Sequence, residues 1–278
     1  MLRRRDVPVN RGYSPVQDIV SRILRPNHHY EIDLEADTLR AFLMFIGFGR
    51  SGHSVVGQII NAHPNALIAD EAAIFDELGS TPTLAQSVDY LVDRDRRFAL
   101  RWYNKDSVIR RGHVLSRLLN TRGKSRNFRF PGLYQGYVKL PSIIGNSKAG
   151  YTSRHIAEDP QSLYSFEESI GLPVKFICIM RNPFDMIASG MRRRKESFAN
   201  IYSNFQQMSD FVDRSLAALS DHEVLLLRQE DFLSDSSAGI DRLFGFLELP
   251  VAREFKSLVA TRLFGAPHKS RYSVPEIA

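Results

Sequence analysis

Two kinds of apolar pattern alternate along this chain. One is continuous: residues 42–46 (FLMFI), 174–180 (VKFICIM) and 223–227 (EVLLL) show no helical spacing. Runs of this kind suit strands covered on both faces, as in a parallel sheet. The other pattern is helical. Val55, Val56, Ile59 and Ile60 fall at i, i+1, i+4 and i+5, one stripe on a helix that begins near Gly52 and stops before Pro64. Phe184, Ile187, Ala188 and Met191 repeat the stripe behind 174–180, and Ile240, Leu243, Phe244 and Leu247 behind 223–227, ending at Pro250. Leu67, Ile68 and Ala69 predict a short strand with Asp70 and Glu71 at its C-terminal end. Strands alternating with helices, without internal repeat, predict a three-layer α/β fold with a mostly parallel central sheet flanked by helices.

The intervening stretches are less regular. Leu84, Val88, Leu91 and Val92 predict a helix, as do Val114, Leu115, Leu118 and Leu119. Residues 122–129 (RGKSRNFR) read as an exposed basic loop, 137–140 as a strand or an edge interrupted by Pro141, and 146–150 as a turn-rich loop. Residues 1–38 carry Pro8, Pro15 and Pro26 with a weak helical pattern, and read as an arm. The expected organisation is that arm followed by one α/β domain over 39–278, with 72–170 shaping an acceptor site and lid.

Composition narrows the class. The chain has 278 residues, enough for a sizeable core. A single cysteine, Cys178, permits no intramolecular disulfide, so a reducing, cytoplasmic setting is expected. The longest apolar run, within 41–48, is far too short to cross a bilayer, so no membrane association is expected. Net charge is +6, but residues 101–154 hold twelve Lys or Arg against one acidic residue, Asp106. Such a segment meets an anion or is a solvated surface.

The candidate chemistry sits at strand ends. Gly47, four intervening residues, Gly52, one position and Ser54 nearly spell a phosphate-cradling loop, but His53 occupies the place of the loop lysine. Backbone N–H groups and the following helix N-terminus can hold an anion there, with Arg50 adding a charged fork. The strand 174–180 ends in Arg181 where a magnesium-binding Asp is expected of a kinase. Asn182 can cap the next helix, Pro183 suits its first position and Asp185 its first turn. An anion held by arginines without a metal fits better than a metal-bound triphosphate. His63 before Pro64 is expected to be structural. A Mg-dependent kinase and a non-enzymatic anion- or nucleic-acid-binding protein are the alternative readings.

Arg50-Ser-Gly-His-Ser54 resembles the 5′-phosphosulfate loop of sulfotransferases that use 3′-phosphoadenosine-5′-phosphosulfate (PAPS). Arg181-Asn-Pro-Phe-Asp-Met-Ile-Ala-Ser189 resembles the 3′-phosphate motif of that family, and Leu226 to Phe232 (LLRQEDF) a later element, with Gln229 replacing Tyr. The run from Arg50 to Glu71 is most similar to the branch with the tyrosylprotein sulfotransferases and bacterial relatives. The resemblance implies that Arg50, Ser51, Gly52, His53 and Ser54 hold the phosphosulfate. Arg181 and Ser189 would grip the 3′-phosphate, Arg193 falls where the closer relatives place a further donor-contacting arginine, and Lys269 and Arg271 would close over the donor. Glu71 is implied as general base, and His53 and Lys148 as catalytic partners, Lys139 being the rival lysine. PAPS is the implied co-substrate, with no metal. The expected partner is a small-molecule or carbohydrate acceptor, with no nucleic acid, and a homodimer is left open.

Overall fold

The computed structural model describes residues 38–105, 130, 133, 140–261, 263, 269–274 and 277, and over 96–105 the backbone alone. The arm up to residue 37, the helical pattern at 114–119, the basic loop 122–129 and Lys139 lie outside the described residues.

β1 (Ala41–Gly47) is buried along its whole length. It is followed by α1 (His53–Asn61), β2 (Ala66–Ala69), α2 (Ile74–Leu78) and α3 (Leu84–Lys105). After residue 140 come β3 (Ile143–Asn146), α4 (Ala149–Glu158), α5 (Gln161–Ile170), β4 (Val174–Met180) and α6 (Pro183–Arg194). Next are α7 (Phe198–Ala218), β5 (Val224–Arg228), α8 (Gln229–Ser234), α9 (Ser236–Phe246) and α10 (Arg253–Ala260). A 3-10 turn spans Ser270–Ser273. Among the described residues the strands form one sheet in the order β2-β3-β1-β4-β5, and every neighbouring pair is parallel. This is the three-layer α/β fold that the patterning predicts.

Because strand residues alternate in direction, each buried strand feeds two cores. Leu43, Phe45 and Ile177 pack with Ile59 and Ile60 of α1, Phe244 of α9 and Phe255 of α10 on one face. Phe42, Met44 and Phe176 pack with Leu91 of α3, Ile156 of α4 and Phe166 of α5 on the other. Phe42 meets Phe166 edge-to-face at 5.1 Å. Burying such a ring stabilises by about 1.5–3 kcal/mol. His63 is structural, as its sequence position suggests. Its Nδ1 accepts from Asn65 N–H at 3.1 Å and its Nε2 donates to the Pro250 carbonyl at 3.0 Å. Burial lowers its pKa to about 4, so the ring is neutral.

Two elements depart from the pattern. Residues 143–146 form a paired inner strand where the sequence suggests only the approach to a loop. The cause is long-range: a Cβ at Gly145 would overlap the Leu43 carbonyl, so glycine is what lets β3 lie against β1. The turn-rich reading of 146–150 is also shortened, because α4 already starts at Ala149. Among the described residues no helix is long and apolar enough to cross a membrane.

Candidate active site

The site lies beyond the C-terminal ends of β1, β2, β3 and β4, where ligands of open parallel sheets bind. At the end of β1 the chain turns with Gly47 at φ 113, Arg50 at φ 70 and Gly52 at φ 107. Gly52 is there for its backbone angle: a Cβ would meet only the Gln229 side chain, at 3.5 Å. Gly52 is also the N-cap of α1, and it supplies no side-chain cap. The N–H groups of His53 and Ser54 therefore remain available to an anion, while that of Val55 is bonded to the Gly52 carbonyl at 3.0 Å.

Arg50 holds a left-handed angle that costs a non-glycine residue about 1–2 kcal/mol. Two contacts hold it there. Arg181 NH1 donates to the Arg50 carbonyl at 3.1 Å, and Arg50 Nε donates to Ser189 Oγ at 2.9 Å. The two sequence motifs are thus joined in both directions.

The second turn follows β4. Asn182 is the N-cap of α6, and its side chain accepts from the N–H groups of Phe184 and Asp185, with Pro183 in the first helical turn. Glu230 Oε1 accepts from Asn182 N–H at 2.8 Å, so the LLRQEDF element braces this turn from β5 and α8. Ser189 is buried on α6 and faces Arg50.

His53, the first residue of α1, is half-buried. Its Nδ1 lies 3.4 Å from Ser51 Oγ. Burial pulls its pKa below 6.5, against the opposing charge of Glu71 and a hydrogen bond to the Phe48 carbonyl, with the Arg50 charge adding to the lowering. A neutral imidazole has one N–H, which the Phe48 carbonyl takes here, and its other ring nitrogen is an acceptor.

Glu71 follows β2 at φ 56 and is exposed, and Arg94 NH2 donates to its carbonyl at 2.8 Å. The neighbouring Asp70 is buried, receives the Ser147 hydroxyl at 2.7 Å, and has its pKa raised to about 6, chiefly by desolvation. Lys148 is the N-cap residue of α4, directly after Ser147, and its Nζ stands 5.1 Å over the Tyr151 ring.

The structure therefore gathers Arg50, Ser51, Gly52, His53, Ser54, Arg181 and Ser189 into one hydrogen-bonded pair of turns, with Glu71 within charge range of His53. Arg193 and Lys269 are exposed, and among the described residues no hydrogen bond ties either to the loops. Arg271 reaches the second turn: its guanidinium is paired at 2.6 Å with the buried Asp185 in the first turn of α6, and its charge acts on Arg181. Arg192 NH2 donates to Ser270 Oγ at 2.8 Å. These two contacts dock the C-terminal turn on α6. Asp185 reads in sequence as a first-turn helix charge; its partner lies 86 positions away and leaves no local signal.

An apolar pocket of about 50 Å³ adjoins the first turn. It is lined by Gly52, Val55, Val56, Ile179, Leu227 and Phe232 among others, with Gln229 as its polar member. The Gln229 amide oxygen is buried and has no hydrogen-bond partner among the described residues.

Fold and site together define an α/β protein with two strand-to-helix turns joined through their arginines at one edge of a parallel sheet. The sulfotransferase domain is the family whose model matches, over residues 42–273. The chain belongs to the sulfotransferase family, and it is a sulfotransferase enzyme. No curated protein matches it. Among solved structures, sulfotransferase STF9 from Mycobacterium avium is similar at 13% identity and a TM-score of 0.42, over 89% of this chain and 73% of that one. The sulfotransferase domain of the curacin biosynthetic pathway is similar at 16% identity and a TM-score of 0.45, over 78% and 77%. Sulfotransferase STF1 from Mycobacterium tuberculosis H37Rv is similar at 11% identity and a TM-score of 0.44, over 87% and 75%.

Proposed function

We propose that this sulfotransferase moves a sulfuryl group from PAPS to a hydroxyl of a small-molecule or carbohydrate acceptor, with Glu71 as general base and without a metal. The observation that carries the reading is the Arg50–Ser189 hydrogen bond, with Arg181 closing back on the Arg50 carbonyl. Two anion grips joined this directly suit a nucleotide that carries phosphate at both its 3′ and 5′ positions. The buried Gln229 amide oxygen beside Gly52 is an acceptor that a donor group of the ligand could meet.

In this reading the N–H groups at the start of α1 and the Arg50 guanidinium hold the 5′-phosphosulfate. Arg181 and Ser189 hold the 3′-phosphate. Glu71 takes the proton of the acceptor hydroxyl as its oxygen bonds to sulfur. The bond from sulfur to the bridging oxygen breaks, and the electron pair leaves with 3′-phosphoadenosine 5′-phosphate (PAP). Lys148 donates a hydrogen bond to the oxygen that gains charge.

Calorimetry tests the donor. PAP is expected to bind at least ~10-fold more tightly than ADP, about 1.4 kcal/mol. Equal affinity overturns the reading. Glu71→Gln is expected to keep PAP affinity and lose ~100-fold or more in turnover of labelled PAPS. Unchanged turnover removes Glu71 as the base.

A further inference from the structure

Asp70 is a buried carboxylate at this edge of the sheet that neither motif accounts for. It is only 6% exposed at the end of β2, and a buried carboxylate needs partners. It has three, two of them on other segments of the chain. Ser147 Oγ donates to its Oδ1 at 2.7 Å. The Ser54 hydroxyl and the Glu71 backbone N–H also donate to it. Ser54 lies in the first turn of α1, at the anion loop. Ser147 immediately precedes Lys148. Glu71 is the proposed base. The same segments are packed closely at another point: a Cβ on Gly57 of α1 would come within 2.8 Å of Ser147 Cβ. The loop with Lys148 is therefore seated on the helix that follows the anion loop.

We propose that Asp70 is a positioning residue, whose carboxylate fixes Ser54, Lys148 and Glu71 relative to one another and so shapes the anion loop from behind. The proposal rests on the functional reading above. It has a consequence of unusual sign. A carboxylate close behind an anion site repels the anion, so a bystander at this position would weaken donor binding. A positioning carboxylate strengthens it, because it orders the loop. It also accepts the hydrogen bond of the Ser54 hydroxyl, which ties the first turn of α1 to the end of β2.

The test is calorimetric titration of the full chain with PAP, alongside thermal unfolding. Asp70→Ala is expected to weaken PAP binding by ~10-fold, since three donors lose their shared acceptor. Asp70→Asn keeps the shape, is expected to lose less, and carries the comparison if the alanine variant does not fold. Ser54→Ala combined with Asp70→Ala is expected to weaken binding no further than Asp70→Ala alone, whereas Arg181→Ala is expected to add its full effect. Unchanged or tighter PAP binding in the Asp70 variants overturns the proposal, and so does full additivity with Ser54→Ala. If the unaltered protein binds PAP no better than ADP, the donor reading fails instead. ADP titrated through the same variants then decides the role of Asp70, because it presents a 5′-phosphate to the same loop.

Discussion

The turn after β1 and the turn after β4 have the same plan, a strand end, an arginine and a helix, yet they treat their helix N-termini in opposite ways. The first has Gly52 as N-cap, no side-chain cap and no acidic residue in the first turn of α1. The second spends its N-terminus on itself: Asn182 caps two N–H groups, Pro183 removes another donor, and Asp185 adds a negative charge. An open helix end can hold an anion by its backbone, whereas a closed one must leave that work to side chains. The 3′-phosphate grip proposed here is accordingly an arginine and a serine, and the 5′ grip is chiefly main chain. Which kind of grip a turn offers is decided by its cap residues, before any ligand is considered.

The contrast can be broken experimentally. Arg181→Ala is expected to have the largest effect, a loss of ~100-fold in PAP affinity, since no backbone N–H stands in for a missing charged hydrogen bond. A loss below ~3-fold, about 0.65 kcal/mol, would mean that the second turn does not grip by side chain. Gly52→Ala is expected to weaken PAP by ~10-fold and lower the melting temperature, because the left-handed angle costs about 1–2 kcal/mol while the side chain itself has room. If both quantities stay at their original values, the loop does not depend on that angle. Asn182→Ala is expected to have the smallest effect on binding. It should cost about 1 kcal/mol of stability with PAP affinity nearly constant. A loss of affinity as large as that of Arg181→Ala would make the cap part of the site and dissolve the contrast.

Much of this was legible in the sequence, for physical reasons. β1 and β4 are recognisable because strands buried on both faces must be apolar at every position. α1 and α6 are recognisable because a one-sided core contact imposes helical spacing, and because Asn182, Pro183 and Asp185 carry their positions in their chemistry. The pairing of Arg50 with Ser189 was approached through family resemblance, and the geometry joins them directly. β3 was not legible: it has four residues, one of them glycine, and its identity depends on the approach of Gly145 to Leu43. Asp70 with Ser147 and Asp185 with Arg271 were not legible either. Their partners stand 77 and 86 positions apart, and nothing in a local pattern encodes such a distance.

The strand order has a consequence for how the chain is made. β1 lies at the middle of the sheet, and its two neighbours, β3 and β4, come from residues 143–146 and 174–180. As the chain emerges from the ribosome, the central strand is synthesised first among the described strands, well before either of its neighbours. Until β3 has followed, AFLMFIG lacks both of its neighbouring strands, and until β4 has followed one of its edges stays open. Parallel pairings at such separations form slowly and leave sticky surface exposed in the interval. Yield during expression should therefore respond to chaperone supply and to the rate of synthesis, whatever the stability of the finished enzyme.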